Sequence, residues 1–189
     1  IGLTGGIGSG KTSVAKLLEK KGFPVYYSDD EAKNIVNKDS ELKEKIIALL
    51  GEEAYQDGKY NRRFVAKKVF IDSEVLNELN HLIHPAVRLD FEKWVSSQTS
   101  EFIFKETALL FELNLHQQCY KSLLVTADDN LRIKRTMDRD SKTYREIEAI
   151  MHKQMPEKDK IKLADYIIYN NSDLGNLQSE TDAFLTKLN

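Results

Sequence analysis

Ile1-Gly2-Leu3-Thr4-Gly5-Gly6-Ile7-Gly8-Ser9-Gly10-Lys11-Thr12-Ser13-Val14-Ala15-Lys16-Leu17-Leu18 carries, from Gly5 to Thr12, the spacing G-x-x-x-x-G-K-[ST] of a loop that wraps phosphate. Glycines let successive backbone N–H groups turn inward around phosphate oxygens, and the helix that follows points its positive end at the same charge. Gly6, Gly8, Ser9, Gly10, Lys11, Thr12 and Ser13 are therefore the expected nucleotide contacts. Lys11 is expected to reach the β- and γ-phosphates, and the Thr12 hydroxyl to join a Mg²⁺ ion bridging them. The alternative, a Gly/Ser-rich turn beside a chance Lys-Thr pair, has the context against it. Ile1–Thr4 reads as the end of a strand and Ser13–Lys20 has helical spacing, so the loop lies between strand and helix as the chemistry requires. The chain opens with Ile1 rather than Met, and the first strand is expected to begin a few residues before it.

Working outward, short β-rich runs alternate with helical segments, which predicts an α/β fold with a parallel sheet covered on both faces. Five strands are expected, at residues 1–4, Pro24–Tyr27, Phe102–Phe104, Leu123–Thr126 and Tyr166–Tyr169. That is the architecture of a P-loop kinase. Residues 31–100 are rich in Lys, Glu and Leu with helical period and no strand signal, so an all-helical insertion is expected there, broken only at Gly51–Gly58, with Asp57-Gly58 as a turn. Residues 1–30 and 101–189 then form the nucleotide-binding core.

Composition bounds the class. A chain of 189 residues, 41% hydrophobic and 31% charged, suits one core with an insertion and excludes a disordered chain. A net charge of −2 gives no electrostatic reason for a nucleic-acid or membrane surface. The single cysteine, Cys119, has no partner for an internal disulfide, which predicts a reducing, cytoplasmic setting. No apolar run approaches the ~18 residues of a membrane span.

Open α/β sheets place ligands at the carboxyl ends of their strands, which makes Asp29, just after the second strand, a candidate to accept the proton of an attacking hydroxyl. The competing reading is a capping box, with Ser28 as N-cap and Glu31 reaching back. In the helix predicted over 128–140, Arg132, Arg135 and Arg139 share a face, suited either to a transferring phosphoryl group or to water. A second capping box, Thr143 to Glu146, opens the next segment, and about 139–155 could form a short hinged lid.

Taken in order, these residues resemble the dephospho-coenzyme A kinase family over nearly the whole chain. The likeness runs through Gly2–Thr12, Ser28-Asp29, Ala32-Lys33, Asp57-Gly58, Arg62, Val69-Phe70, His84-Pro85 and Leu109–Glu112. It continues through Lys134–Met137, Arg139-Asp140, Gln154, Ala164-Asp165 and Asn170-Asn171. The resemblance implies ATP and dephospho-CoA as substrates, the ribose 3′-hydroxyl as acceptor, and catalysis by Asp29, Lys11 and Arg139. It implies acceptor contacts at Asp29, Arg62 and His84, Arg62 also being readable as a surface Arg and His84-Pro85 as a helix start. It places Arg139 over the ATP phosphates and Asn170 near the adenine, while Asn170-Asn171 also reads as an ordinary turn. Leu109–Glu112 reads as core packing with Glu112 at the cleft edge.

The chain departs from the family pattern at three places. Tyr27 stands where many relatives carry an acid, Glu106-Thr107-Ala108 where an Asp and then a Pro are expected, and Arg132 where a different polar residue is commoner. If the missing Asp helps hold magnesium, Glu106 could replace it with a longer arm. Another small-molecule kinase on the same fold and a nucleotide-dependent switch are the rival classes. The guanine-reading Asn/Thr-Lys-x-Asp motif of a GTP switch does not occur here.

Overall fold

The computed structural model describes residues 1–188, which divide into two compact units: residues 1–27 together with those from 99 onward, and residues 28–98. In the first unit β1 (Gly2–Thr4) leads through the glycine loop into α1 (Lys11–Lys20), and β2 (Val25–Tyr27) follows. The second unit holds α2 (Ser28–Lys38), α3 (Ser40–Leu50), β3 (Tyr55–Gln56), β4 (Lys59–Tyr60), α4 (Arg62–Ile71) and α5 (Ser73–Ser96). The chain returns to the first unit as β5 (Phe104–Glu106), β6 (Ser122–Thr126), α6 (Asp129–Asp140), α7 (Tyr144–Lys153), α8 (Glu157–Leu163), β7 (Tyr166–Tyr169) and α9 (Leu174–Thr186).

The five long strands form one parallel sheet in the order β2-β5-β1-β6-β7. β1 sits between β5 and β6, where the chain crosses from one half of the sheet to the other, and a parallel sheet opens its ligand crevice at that point. Leu123, Leu124 and Val125 are all fully buried, the mark of a strand covered on both faces. On one face Leu3, Leu123 and Val125 join Val14, Leu18, Phe104, Leu177 and Phe184. On the other, Leu124 packs with Leu110 and Phe111. α1 buries Val14, Ala15, Leu17 and Leu18, at i, i+1, i+3 and i+4, which fixes how its first turn meets β1.

Two expectations need correction. The third long strand is Phe104–Glu106 rather than 102–104, because Lys105 and Glu106 pair with Gly2 and Leu3 in the ladder although neither is apolar. The insertion is not wholly helical. Tyr55-Gln56 and Lys59-Tyr60 form an antiparallel hairpin, and Asp57-Gly58 turns it with both residues at positive φ, as a two-residue type I′ loop demands. Two-residue strands carry no periodicity to read. The second unit has its own apolar core of Ile35, Val36, Leu42, Ile46, Leu50, Val65 and Leu79. Among the described residues no helix is long and apolar enough to cross a membrane.

Candidate active site

The glycine loop joins the buried end of β1 to α1, whose first residue is Lys11. Gly8 and Gly10 adopt φ of +75° and +95°. A Cβ on Gly8 would strike the Arg132 carbonyl and stand 2.7 Å from Thr136 Oγ1, and one on Gly10 would strike the Asn170 amide. Glycine is thus required twice over, by backbone conformation and by packing. The loop bonds to itself only sparingly, through Ser9 N–H to Gly6 O at 3.1 Å and Ser13 N–H to Gly10 O at 2.9 Å. Among the described residues, the N–H groups of Gly8, Gly10 and Lys11 have no protein acceptor. A run of free donors at a helix head is an anion site.

Lys11 forms an ion pair with Glu106 at the end of β5, and both side chains are largely buried. Register puts Glu106 level with Leu3 on one side and Tyr27 on the other, so this carboxylate stands at the carboxyl edge of the sheet. A carboxylate can be buried there because the ammonium offsets its desolvation. Tyr27, in the position where the family pattern has an acid, donates its hydroxyl to Glu19 Oε2 at 2.9 Å. Thr12 is exposed in the first turn of α1. Among the described residues no group of three or more His, Cys, Asp and Glu side chains could hold a metal ion by itself. A Thr hydroxyl and a carboxylate are nonetheless the hard oxygen donors that suit Mg²⁺ carried in on a nucleotide.

Asn170, directly after β7, is buried and braces the loop: its Nδ2 donates to Ser9 O at 2.8 Å, while its own carbonyl accepts from Arg135 Nη1 at 2.8 Å. Of the arginine face, Arg132 is only 3% exposed and reaches the loop at Ile7, so the solvated reading fails for it. Arg139 lies apart. Its guanidinium grips Asp140 through Nε–Oδ1 at 2.6 Å and Nη2–Oδ2 at 2.8 Å, and among the described residues it makes no hydrogen bond or ion pair to the loop. This pairing holds Asp140 below the usual carboxylate range. The Thr143–Glu146 capping box forms and opens α7. Glu112 pairs with Lys160, whose buried Nζ lies 3.0 Å from Oε1 but out of line for a hydrogen bond, and it accepts from the Met155 N–H at 3.0 Å.

The remaining candidates belong to the second unit. Asp29 is exposed in the first turn of α2, with no ion pair among the described residues, whereas Asp30 pairs with Lys33. The capping box read at Ser28 does not form. β2 runs straight into α2, so Ser28 is itself helical; its Oγ has no partner and Glu31 accepts instead from Asn34. Arg62 is exposed at the start of α4, after the Asn61 cap. His84-Pro85 does not begin a helix but lies inside α5, and burial, then the neighbouring His81, push the His84 imidazole below its ordinary range. Gln154, part of the family likeness but given no role from the sequence, accepts from the Ile7 N–H of the loop, and Glu157, which carries no signature in the sequence, meets its support Arg132.

The match to the family model for dephospho-CoA kinase covers residues 1–176. The chain belongs to the dephospho-CoA kinase family. The dephospho-CoA kinase of Fusobacterium nucleatum is 37% identical over 185 residues, which is 97% of this chain and 95% of that protein. A crystal structure from Thermus thermophilus matches with a TM-score of 0.88 at 34% identity, over all of this chain and 96% of the other. The dephospho-CoA kinase of Campylobacter jejuni shares the fold, with a TM-score of 0.73 at 22% identity, covering 99% and 95%. As a dephospho-CoA kinase family member the chain is a kinase, and its sheet and loop are those of P-loop kinases.

Proposed function

We propose that the chain passes the γ-phosphoryl group of ATP to the ribose 3′-hydroxyl of dephospho-CoA, with the glycine loop holding the donor and Asp29 taking the acceptor's proton. ATP-dependent phosphorylation of dephospho-CoA, the last step of coenzyme A synthesis, is the reaction of the family to which the chain belongs. The observation that carries the donor side is the loop itself, with free N–H groups at Gly8, Gly10 and Lys11 around a helix head that ends in the Lys11 ammonium. These groups fit an anion with several oxygens.

As the acceptor oxygen attacks, its bond to the γ-phosphorus forms while the bridge to the β-phosphate breaks. The electron pair leaves on ADP and the hydroxyl proton moves to the Asp29 carboxylate, with no covalent enzyme intermediate. Lys11 exchanges Glu106 for phosphate oxygens. A Mg²⁺ ion held through Thr12, with Glu106 beside it, would neutralise charge on the β- and γ-phosphates. Arg139, paired with Asp140 in this structure, is read as the arginine of a closing lid at about 139–155 that turns to the phosphates when the lid closes. Arg62 and His84 are assigned to the acceptor, and the reaction to the cytoplasm.

The test is ADP release with ATP and Mg²⁺ in the presence of dephospho-CoA, AMP, shikimate or no acceptor, with product mass. Stimulation by dephospho-CoA alone, with one phosphate added to it, is expected. Turnover on another acceptor and none on dephospho-CoA would overturn the assignment.

A further inference from the structure

The Ile7 peptide is held from both sides. Its N–H donates to Gln154 Oε1 at 3.0 Å, and its carbonyl accepts from Arg132 Nε at 3.0 Å. Gln154 caps the C-terminus of α7, and Arg132 belongs to α6. The same guanidinium donates Nη1 to Asp129 Oδ1 at 3.0 Å and to Glu157 Oε2 at 3.1 Å. Three residues beyond Glu157, Lys160 pairs with Glu112 and fixes the first turn of α8. A Cβ on Gly6 would strike the Arg132 guanidinium and stand 3.2 Å from Gln154 Oε1, so loop and clasp are packed without a gap.

Ile7 lies between Gly6 and Gly8, residues with the most conformational freedom to lose. A loop of this kind binds phosphate well only if its N–H groups are already aimed, and pinning the peptide between two glycines spends that entropy before the nucleotide arrives. The guanidinium of Arg132 is spread over two carboxylates and the Ile7 carbonyl, an arrangement that suits holding the loop in place. We propose that Arg132 and Gln154 are positioning residues that set nucleotide affinity by clasping the Ile7 peptide, tying the α7–α8 segment to the phosphate loop. This rests on the loop being the ATP site.

The experiment measures ATP dissociation constants by calorimetry, and KM and kcat for both substrates, in the wild type, Arg132→Met, Arg132→Lys, Gln154→Met and the double Met variant. Each Met variant is expected to weaken ATP binding about tenfold, the worth of one buried hydrogen bond, with the KM for dephospho-CoA unchanged. The double variant should lose little more than the worse single one, because releasing either side frees the peptide. Arg132→Lys, which keeps a donor and a charge, should recover part of the loss. Removing Arg132 strands Glu157 and lowers the melting temperature, so Gln154→Met, which leaves no buried charge behind, decides the matter. Wild-type ATP affinity in Gln154→Met overturns the clasp, while a wild type that binds no ATP overturns the reading of the loop itself.

Discussion

At the scale of single residues, the glycine loop shows why its composition is strict. Gly8 combines φ +75° with a Cβ position filled by the Arg132 carbonyl, a backbone atom that cannot swing aside. Gly8→Ala is therefore expected to cost roughly 1–3 kcal/mol of stability and to weaken ATP binding, read by thermal melting and calorimetry. A variant with unchanged melting temperature would show that the loop can relax at no cost. Lys11 and Glu106 make a second residue-scale point. A phosphate must compete with a buried carboxylate for the ammonium, and that exchange moves one charge partner for another rather than creating a bare ion.

At the scale of elements, the sheet is locked at its lower edge by Asp165. Ser122 donates to Asp165 Oδ2 through its N–H at 2.8 Å and its hydroxyl at 2.7 Å, Lys121 Nζ lies 3.0 Å from Oδ1, and the Asp165 N–H donates back to Ser122 Oγ at 3.0 Å. Burial raises this carboxyl, but the Ser122 and Lys121 contacts outweigh it and hold the group below its ordinary range. A carboxylate with a depressed folded value stabilises fully above its unfolded value, and that contribution disappears as pH falls through the folded one. Asp165→Ala should thus cost about 1 kcal/mol at pH 7, since the group is partly exposed, and much less in acid. Melting curves at pH 7 and pH 3 check this, and an equal loss at both would contradict it.

The elements also show what could be read beforehand. β6 and β7 announce themselves as apolar runs, the glycine loop by its spacing and β1 by its place before that loop, so the α/β fold and the strand–loop–helix setting of the loop were legible. β5 lies further along the chain than its apolar residues suggest because two of its three residues are charged, and Glu106 is buried in a pair with Lys11. The spacing of Arg132 puts it on one face with Arg135 and Arg139, suited to a phosphoryl group or to water. The burial of Arg132 depends on Ile7 and Glu157, respectively 125 residues before it and 25 after it, partners that no local pattern relates. The Ser28 capping box failed for a similar reason: four residues fit the motif, but β2 ends at Tyr27 and α2 begins at Ser28, so Ser28 is part of the helix rather than its cap.

At the scale of the whole molecule, the chain builds two units, each with an apolar core, and the proposed chemistry draws on both. The phosphate loop and its supports, Glu106, Arg132, Gln154 and Asn170, all belong to the unit with the parallel sheet, whereas Asp29, Arg62 and His84 belong to residues 28–98. Donor binding and proton acceptance should therefore separate under mutation. The most direct test is to replace Asp29 by Asn and to measure ATP affinity and turnover with dephospho-CoA side by side. Nearly unchanged ATP affinity with turnover reduced by about 10² or more, the scale of a lost general base, is the predicted result. Turnover equal to that of the wild type would contradict the mechanism and leave Asp29 as no more than a carboxylate in the first turn of α2.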